Sequence, residues 1–153
     1  MNVEVSYGVP REGVPAPRDF RNWIAHVGAL LEESGRVSLR LVDETEGGRL
    51  NRDFRGRAGA TNVLSFPAGQ GIPGERFFGD IVLCAPRVAA EARAWDRPVR
   101  AHYAHLTIHG FLHLLGYEHE RAPARRRMES IEIRLLSELG LPDPYETSAR
   151  SAS

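Results

Sequence analysis

Residues 79–115 read GDIVLCAPRVAAEARAWDRPVRAHYAHLTIHGFLHLL, and a change of pattern inside this stretch sets the fold class. From Asp80 to Cys84 the apolar run is unbroken, as in a strand buried on both faces at the centre of a sheet. From Pro86 onward apolar residues recur at helical spacing, which predicts helices over Val88–Trp95 and Val99–Leu115. A third helix follows over Pro123–Leu139, with Pro123 in its first turn and Gly140 at its end. Upstream, Val3–Tyr7 and Val37–Val42 alternate as strands do, and Asn62–Phe66 reads as a further strand. Between them an amphipathic helix is predicted over Asp19–Ser34, its apolar face formed by Phe20, Trp23, Ile24, Val27, Leu30 and Leu31. A shorter helix, weakened by Gly47 and Gly48, spans Glu44–Phe54. The order β-α-β-α-β-β-α-α-α predicts a single α+β domain: a small mixed β-sheet of about four strands packed with about five helices. Residues 1–145 would form that domain, and the Ser/Ala/Arg-rich residues 146–153 a frayed tail.

Composition narrows the class. The 153 residues carry 20 acidic and 20 basic groups and are 42% hydrophobic, enough to bury a core and too apolar for a disordered chain. No apolar run approaches the ~18 residues of a membrane span, and the first residues lack a secretory pattern, so a cytoplasmic protein is expected. The lone cysteine, Cys84, cannot form an internal disulfide or a thiolate cage and reads as core packing. Every basic residue is arginine. A GC-rich genome accounts for that, although Arg forks also suit phosphate recognition.

Six histidines are present, and His102, His105, His109, His113 and His119 fall within 18 residues. His109 and His113, four apart on a helix, project from one face with Cβ atoms about 5–6 Å apart, within reach of one metal ion. Gly116 suits a left-handed helix end, after which the chain can bend and return His119 as a third ligand. Three imidazole nitrogens and an open fourth position make a catalytic rather than a closed structural zinc site, here at the end of the central helix. A His105–His109 pair is also geometrically possible, but His105 and His113 cannot share an ion, being separated by about 12 Å of helix. His102 and His105 are therefore read as flanking groups. The 0, 4, 10 spacing with an intervening Gly also occurs in metzincin proteases, where a Glu after the first His is the general base. Here that position is Gly110, which cannot take a proton; Glu118 and Glu120 are nearby in sequence, and no general base is assigned.

The second segment of note is Asn51–Pro67, NRDFRGRAGATNVLSFP. Arg52, Arg55 and Arg57 cluster where a helix gives way to a Gly-containing loop, an arrangement suited to clamping phosphates or simply to a solvated turn. Asn62 and Ser65 fall on opposite faces by strand alternation, so at most one would face the histidines. Asp80 is expected to head its strand, as a turn or supporting residue, and the Arg125-Arg126-Arg127 run is expected to be a solvated helix face.

NRDFRG, TNVLSFP, GDIVLC, AHYAHLTIHGFLHLLGYEHE and LPDPY, in that order, resemble the YbeY family of bacterial endoribonucleases over roughly Val37–Tyr145. The resemblance implies a single-domain metalloprotein binding one Zn2+ through His109, His113 and His119. It also implies single-strand-specific cleavage of RNA in 16S rRNA 3′-end maturation and 70S ribosome quality control, with the ribosome or its small subunit as partner. The family's functional arginine falls on Arg55, which would hold the scissile phosphate, with Arg57 beside it on the RNA. Three departures stand out: GYEH for the common GYDH, Phe54 for Tyr, and the softer loop Arg57-Ala-Gly-Ala60 for a basic, Pro-containing one. The rival expectations are a metallohydrolase of another substrate and a ribosome assembly factor with a mainly structural zinc.

Overall fold

The computed structural model describes residues 1–69 and 76–146, so the expected tail beyond 146 and most of the Gly/Pro-rich segment before Phe77 lie outside the described residues. Along the chain run β1 (Asn2–Tyr7), α1 (Pro17–Leu31), β2 (Arg36–Val42), α2 (Glu44–Arg55), β3 (Val63–Pro67), β4 (Phe77–Cys84), α3 (Ala85–Ala94), α4 (Val99–Leu114) and α5 (Ala122–Glu138). The four strands form one mixed sheet in the order β1-β2-β4-β3. β1, β2 and β4 are parallel, an arrangement that requires long crossover connections such as those through α1 and α2, and β3 pairs antiparallel on the β4 edge. The apolar run thus occupies the interior strand its pattern demanded.

β4 starts at Phe77, and Asp80 is a mid-strand residue opposite Ser38 and Phe66 rather than the head of the strand. The Gly-Asp pair that reads as a turn is a strand irregularity. Register slips between Arg36–Phe77 and Val37–Gly79, and Gly79 sits at φ 135°, where a Cβ would run into the Phe66 carbonyl. α1 stops at Leu31, three residues early, because Glu32 takes the left-handed conformation at φ 56°.

The alternation of the strands divides the core in two. Val37, Leu39, Leu41, Ile81 and Leu83 cluster with Phe20, Trp23, Ile24 and Val27 of α1 and with Tyr103, Ile108 and Phe111 of α4. A smaller cluster of Val42, Leu64, Val82 and Cys84, with Leu50, Ala60 and Phe66 against it, forms where α2 covers the sheet. Burial pushes the Cys84 thiol up, which fits its packing role. α4 contacts the sheet, α1, α3 and α5, which explains why its apolar residues surround the helix instead of forming one stripe. None of the described helices is long and apolar enough to cross a membrane.

A candidate metal centre

His109 and His113 share a face of α4 because a residue and its fourth successor lie one turn apart. The helix ends at Leu114, and Gly116 at φ 100° turns the chain while the Tyr117 amide closes on the Leu112 carbonyl at 3.0 Å. That turn carries His119 back over the helix end. His113 Nε2 lies 3.1 Å from His109 Nε2 and 3.0 Å from His119 Nδ1. The three rings pack with centroids 4.7–5.3 Å apart. The cluster is capable of coordinating a metal ion, and His119 lies on its exposed side. Burial, followed by the adjacent His109 and His119, pushes His113 down to about 4, so its ring stays neutral at neutral pH.

Beneath this trio lies a second group that sequence reasoning missed. Glu132 of α5 is fully buried, and its Oε2 accepts from His109 Nδ1 at 2.9 Å and from His105 Nε2 at 3.1 Å. Its Oε1 accepts from the Tyr145 hydroxyl at 2.6 Å. Burial acts to raise the Glu132 pKa, but these histidine contacts outweigh it and hold the carboxyl down at about 2. Burial and the adjacent carboxylate push the Tyr145 phenol well above its ordinary value. His105, His109 and Glu132 also bring donor atoms close enough for a metal. A signal was present: Glu132 stands in the buried stripe Met128, Leu135, Leu136, where an unpaired carboxylate does not belong.

His102 belongs to a separate contact. Its Nε2 donates to Glu91 at 2.8 Å, and Glu91 also accepts from the Asn62 amide at 3.0 Å. Asn62 lines a recess with His102, His105 and His109, whereas the Ser65 hydroxyl donates to the Gly110 carbonyl at 2.8 Å. Glu118 faces a recess with Leu31, Glu33 and Arg127 that includes none of the three clustered histidines. Gly110 packs on the sheet beside Val63, Ser65 and Ile81, so a side chain here would meet strands. That geometry removes the position a metzincin uses for its base.

Arg55 and Arg57 lie at the end of α2 and in the loop after it, both exposed. The Arg57 amide donates to the Asn51 carbonyl at 3.3 Å, and neither guanidinium forms an ion pair or hydrogen bond with a described residue. The preceding Phe54 is 68% exposed and packs edge-on against Phe66, at the margin of the α2-side cluster. The described pockets that include a trio histidine include neither arginine. Asp80 opens onto a groove of that same face with Arg40, Glu46 and Phe66, and burial raises its pKa. Arg125, Arg126 and Arg127 are exposed on α5, as expected.

The pattern of one protein family, described as Endoribonuclease YbeY, matches residues 14–140 of the chain. The chain is 47% identical over 150 residues to the Endoribonuclease YbeY of Stenotrophomonas maltophilia, with 95% of this chain and 93% of that protein covered. The same identity and coverage hold for the Endoribonuclease YbeY of Xanthomonas campestris. The solution structure of TM1509 from Thermotoga maritima superposes with a TM-score of 0.59 at 23% identity, covering 94% of this chain and 99% of that one. That last likeness is one of fold.

Proposed function

The chain belongs to the YbeY family of endoribonucleases, and from that premise we propose that it is a zinc-dependent, single-strand-specific endoribonuclease of 16S rRNA 3′-end maturation and 70S ribosome quality control. The observation that carries the reading is the convergence of the His109, His113 and His119 nitrogens, with His113 Nε2 at 3.1 and 3.0 Å from the other two. Zn–N bonds of about 2.0–2.1 Å in a tetrahedron put ligand nitrogens about 3.3 Å apart, so the donor set suits a zinc-sized ion. His109, His113 and His119 would hold one Zn2+, leaving a position open on the exposed side. Lewis acidity toward a water and a phosphoryl oxygen is what zinc supplies in such a site.

The protein's own groups do the rest. Arg55 binds the scissile phosphate of a single strand and offsets charge that builds there, with Arg57 adding a further phosphate contact. Both guanidinium groups are exposed and have no described carboxylate partner, which supports their availability to RNA. The partners on this reading are the 16S rRNA precursor and the small ribosomal subunit in the cytoplasm, and the domain spans residues 1–145.

The test is cleavage of a single-stranded RNA and of its duplex by the native protein and by His113→Ala, with bound zinc quantified in each. The native protein should carry about one zinc and cut only the single strand, and the variant should do neither. Equal cleavage by the two proteins would overturn the reading.

A further inference from the structure

We propose that Glu132, held in place by Tyr145, is the positioning carboxylate of the metal centre: it fixes the tautomer of His109 so that Nε2 presents its lone pair to the ion. The inference rests on the reading of His109 as a ligand and adds to it a residue from another helix and another from the chain's final described turn.

A fully buried carboxylate is tolerated only when its oxygens are satisfied, and Glu132 has three donors: His109 Nδ1, His105 Nε2 and the Tyr145 hydroxyl. Both of its oxygens are taken up as acceptors, Oε1 by the Tyr145 hydroxyl and Oε2 by the two histidines, so the hydrogen between Glu132 and His109 resides on Nδ1. A singly protonated ring held that way leaves Nε2 bare. That bare nitrogen lies 3.1 Å from His113 Nε2, on the side where the ion would sit. With the opposite tautomer, an N–H would point into the coordination space. Metal-binding histidines commonly need such a partner on the second nitrogen.

The same carboxylate assigns His105 a different part. Its Nε2 hydrogen is committed to Glu132, while its Nδ1 is buried with no hydrogen-bond partner. His105 is thereby a donor that helps hold the carboxylate, and its committed Nε2 is not offered to an ion. Tyr145 completes the assembly through Oε1, from a turn in which its own amide donates to Asp143 at 2.8 Å. The Pro142-Asp-Pro-Tyr145 segment thus fastens the far end of α5 to the ligand-bearing face of α4. α5 and α4 pack directly against one another, and the Tyr145 hydroxyl also lies 3.2 Å from His105 Nε2 of α4.

The experiment uses the full chain and two readouts other than cleavage. In the metal-free protein, 15N shifts of the His109 ring report the tautomer directly. In the wild type Nδ1 should carry the proton, and in Glu132→Gln the Nε2-protonated form should become populated. Zinc affinity, measured by competition with a chromophoric chelator on protein held below its melting temperature, should fall about 10–100-fold in Glu132→Gln. Tyr145→Phe, which keeps the carboxylate, should lose less. A wild-type tautomer with the proton on Nε2 would overturn the proposal. So would wild-type zinc affinity in a folded Glu132→Gln variant. A merely structural Glu132 would lower the melting temperature and leave both readouts unchanged. If His113→Ala retained zinc, the ligand assignment would fail instead, and the tautomer measurement would still stand.

Discussion

The Ser65 hydroxyl donates to the Gly110 carbonyl at 2.8 Å, fastening edge strand β3 to α4 one residue beyond His109. The helix lies so close to the sheet here that a Cβ on Gly110 would stand 3.1 Å from Ser65 Oγ and from Ile81 Cγ2. Gly110 is therefore a spacing residue. It sets the height of the helix that carries His109 and His113 above β3 and β4.

Gly110→Ala should destabilise the protein although alanine favours helices. Overpacking costs typically about 1–3 kcal/mol, against about 1 kcal/mol of helix propensity gained. A net loss of roughly 1 kcal/mol would lower the melting temperature by about 2–4 °C in a chain this size. Ser65→Ala, which removes only the hydroxyl, should cost about 1 kcal/mol or less. An unchanged melting temperature in Gly110→Ala would mean that α4 lifts from the sheet freely.

Removing metal should cost stability as well as activity. An ion that binds only the folded trio stabilises by about 4 kcal/mol at a thousandfold excess over its dissociation constant. Chelation should then lower the melting temperature by roughly 10 °C, and added zinc should restore it. The shift should be absent in His113→Ala. A chelator-dependent shift of the same size in that variant would place the ion elsewhere.

Arg55→Ala should keep its zinc and its melting temperature while cleaving single-stranded RNA at least about tenfold more slowly, the loss of a charge-assisted contact to phosphate. Arg55→Lys should recover only part of the rate, because an ammonium group lacks the planar fork. RNA affinity in Arg57→Ala should show a shallower salt dependence, by a slope of about 0.7 for one single-strand phosphate contact. Normal cleavage by Arg55→Ala would remove the arginine from the mechanism.

Acid sensitivity should be traceable in part to His102. The residue is 1% exposed, and burial lowers its pKa despite the opposing hydrogen bond to Glu91. In the unfolded chain it protonates near the ordinary value of about 6.5; in the folded protein it does so at lower pH. Its contribution is thus fully present above about pH 6.5 and is lost as pH falls toward the folded-state pKa. Melting curves of wild type and His102→Gln in excess chelator should show a gap that narrows between about pH 7.5 and 5. A gap that widens on acidification would mean that the buried ring is held protonated.

Much of this molecule was legible because the relevant geometry is local. Helical period alone places His109 and His113 on one face, and Gly116, at φ 100°, behaves as a helix-ending glycine should. The unbroken run Ile81–Cys84 identifies an interior strand because only burial on both faces favours such a pattern. Asp80 was misplaced because Gly79 carries the same signature in a strand irregularity as in a turn.

Short spacings within 79–119 identify the interior strand and the histidine trio, and the order of elements along the whole chain gives the α+β class. Folding alone brought Glu132, 23 positions beyond His109, beneath that histidine and set Tyr145 against Glu132. It also decided that Arg55 follows a residue packed at the α2-side cluster while the histidines ride on α4 against the other core. The reason is physical. Backbone periodicity fixes which neighbours along one element share a face, whereas partners on different elements are set by strand order and by how α4 and α5 settle against each other. A buried carboxylate announces that it needs partners, but only packing chooses them.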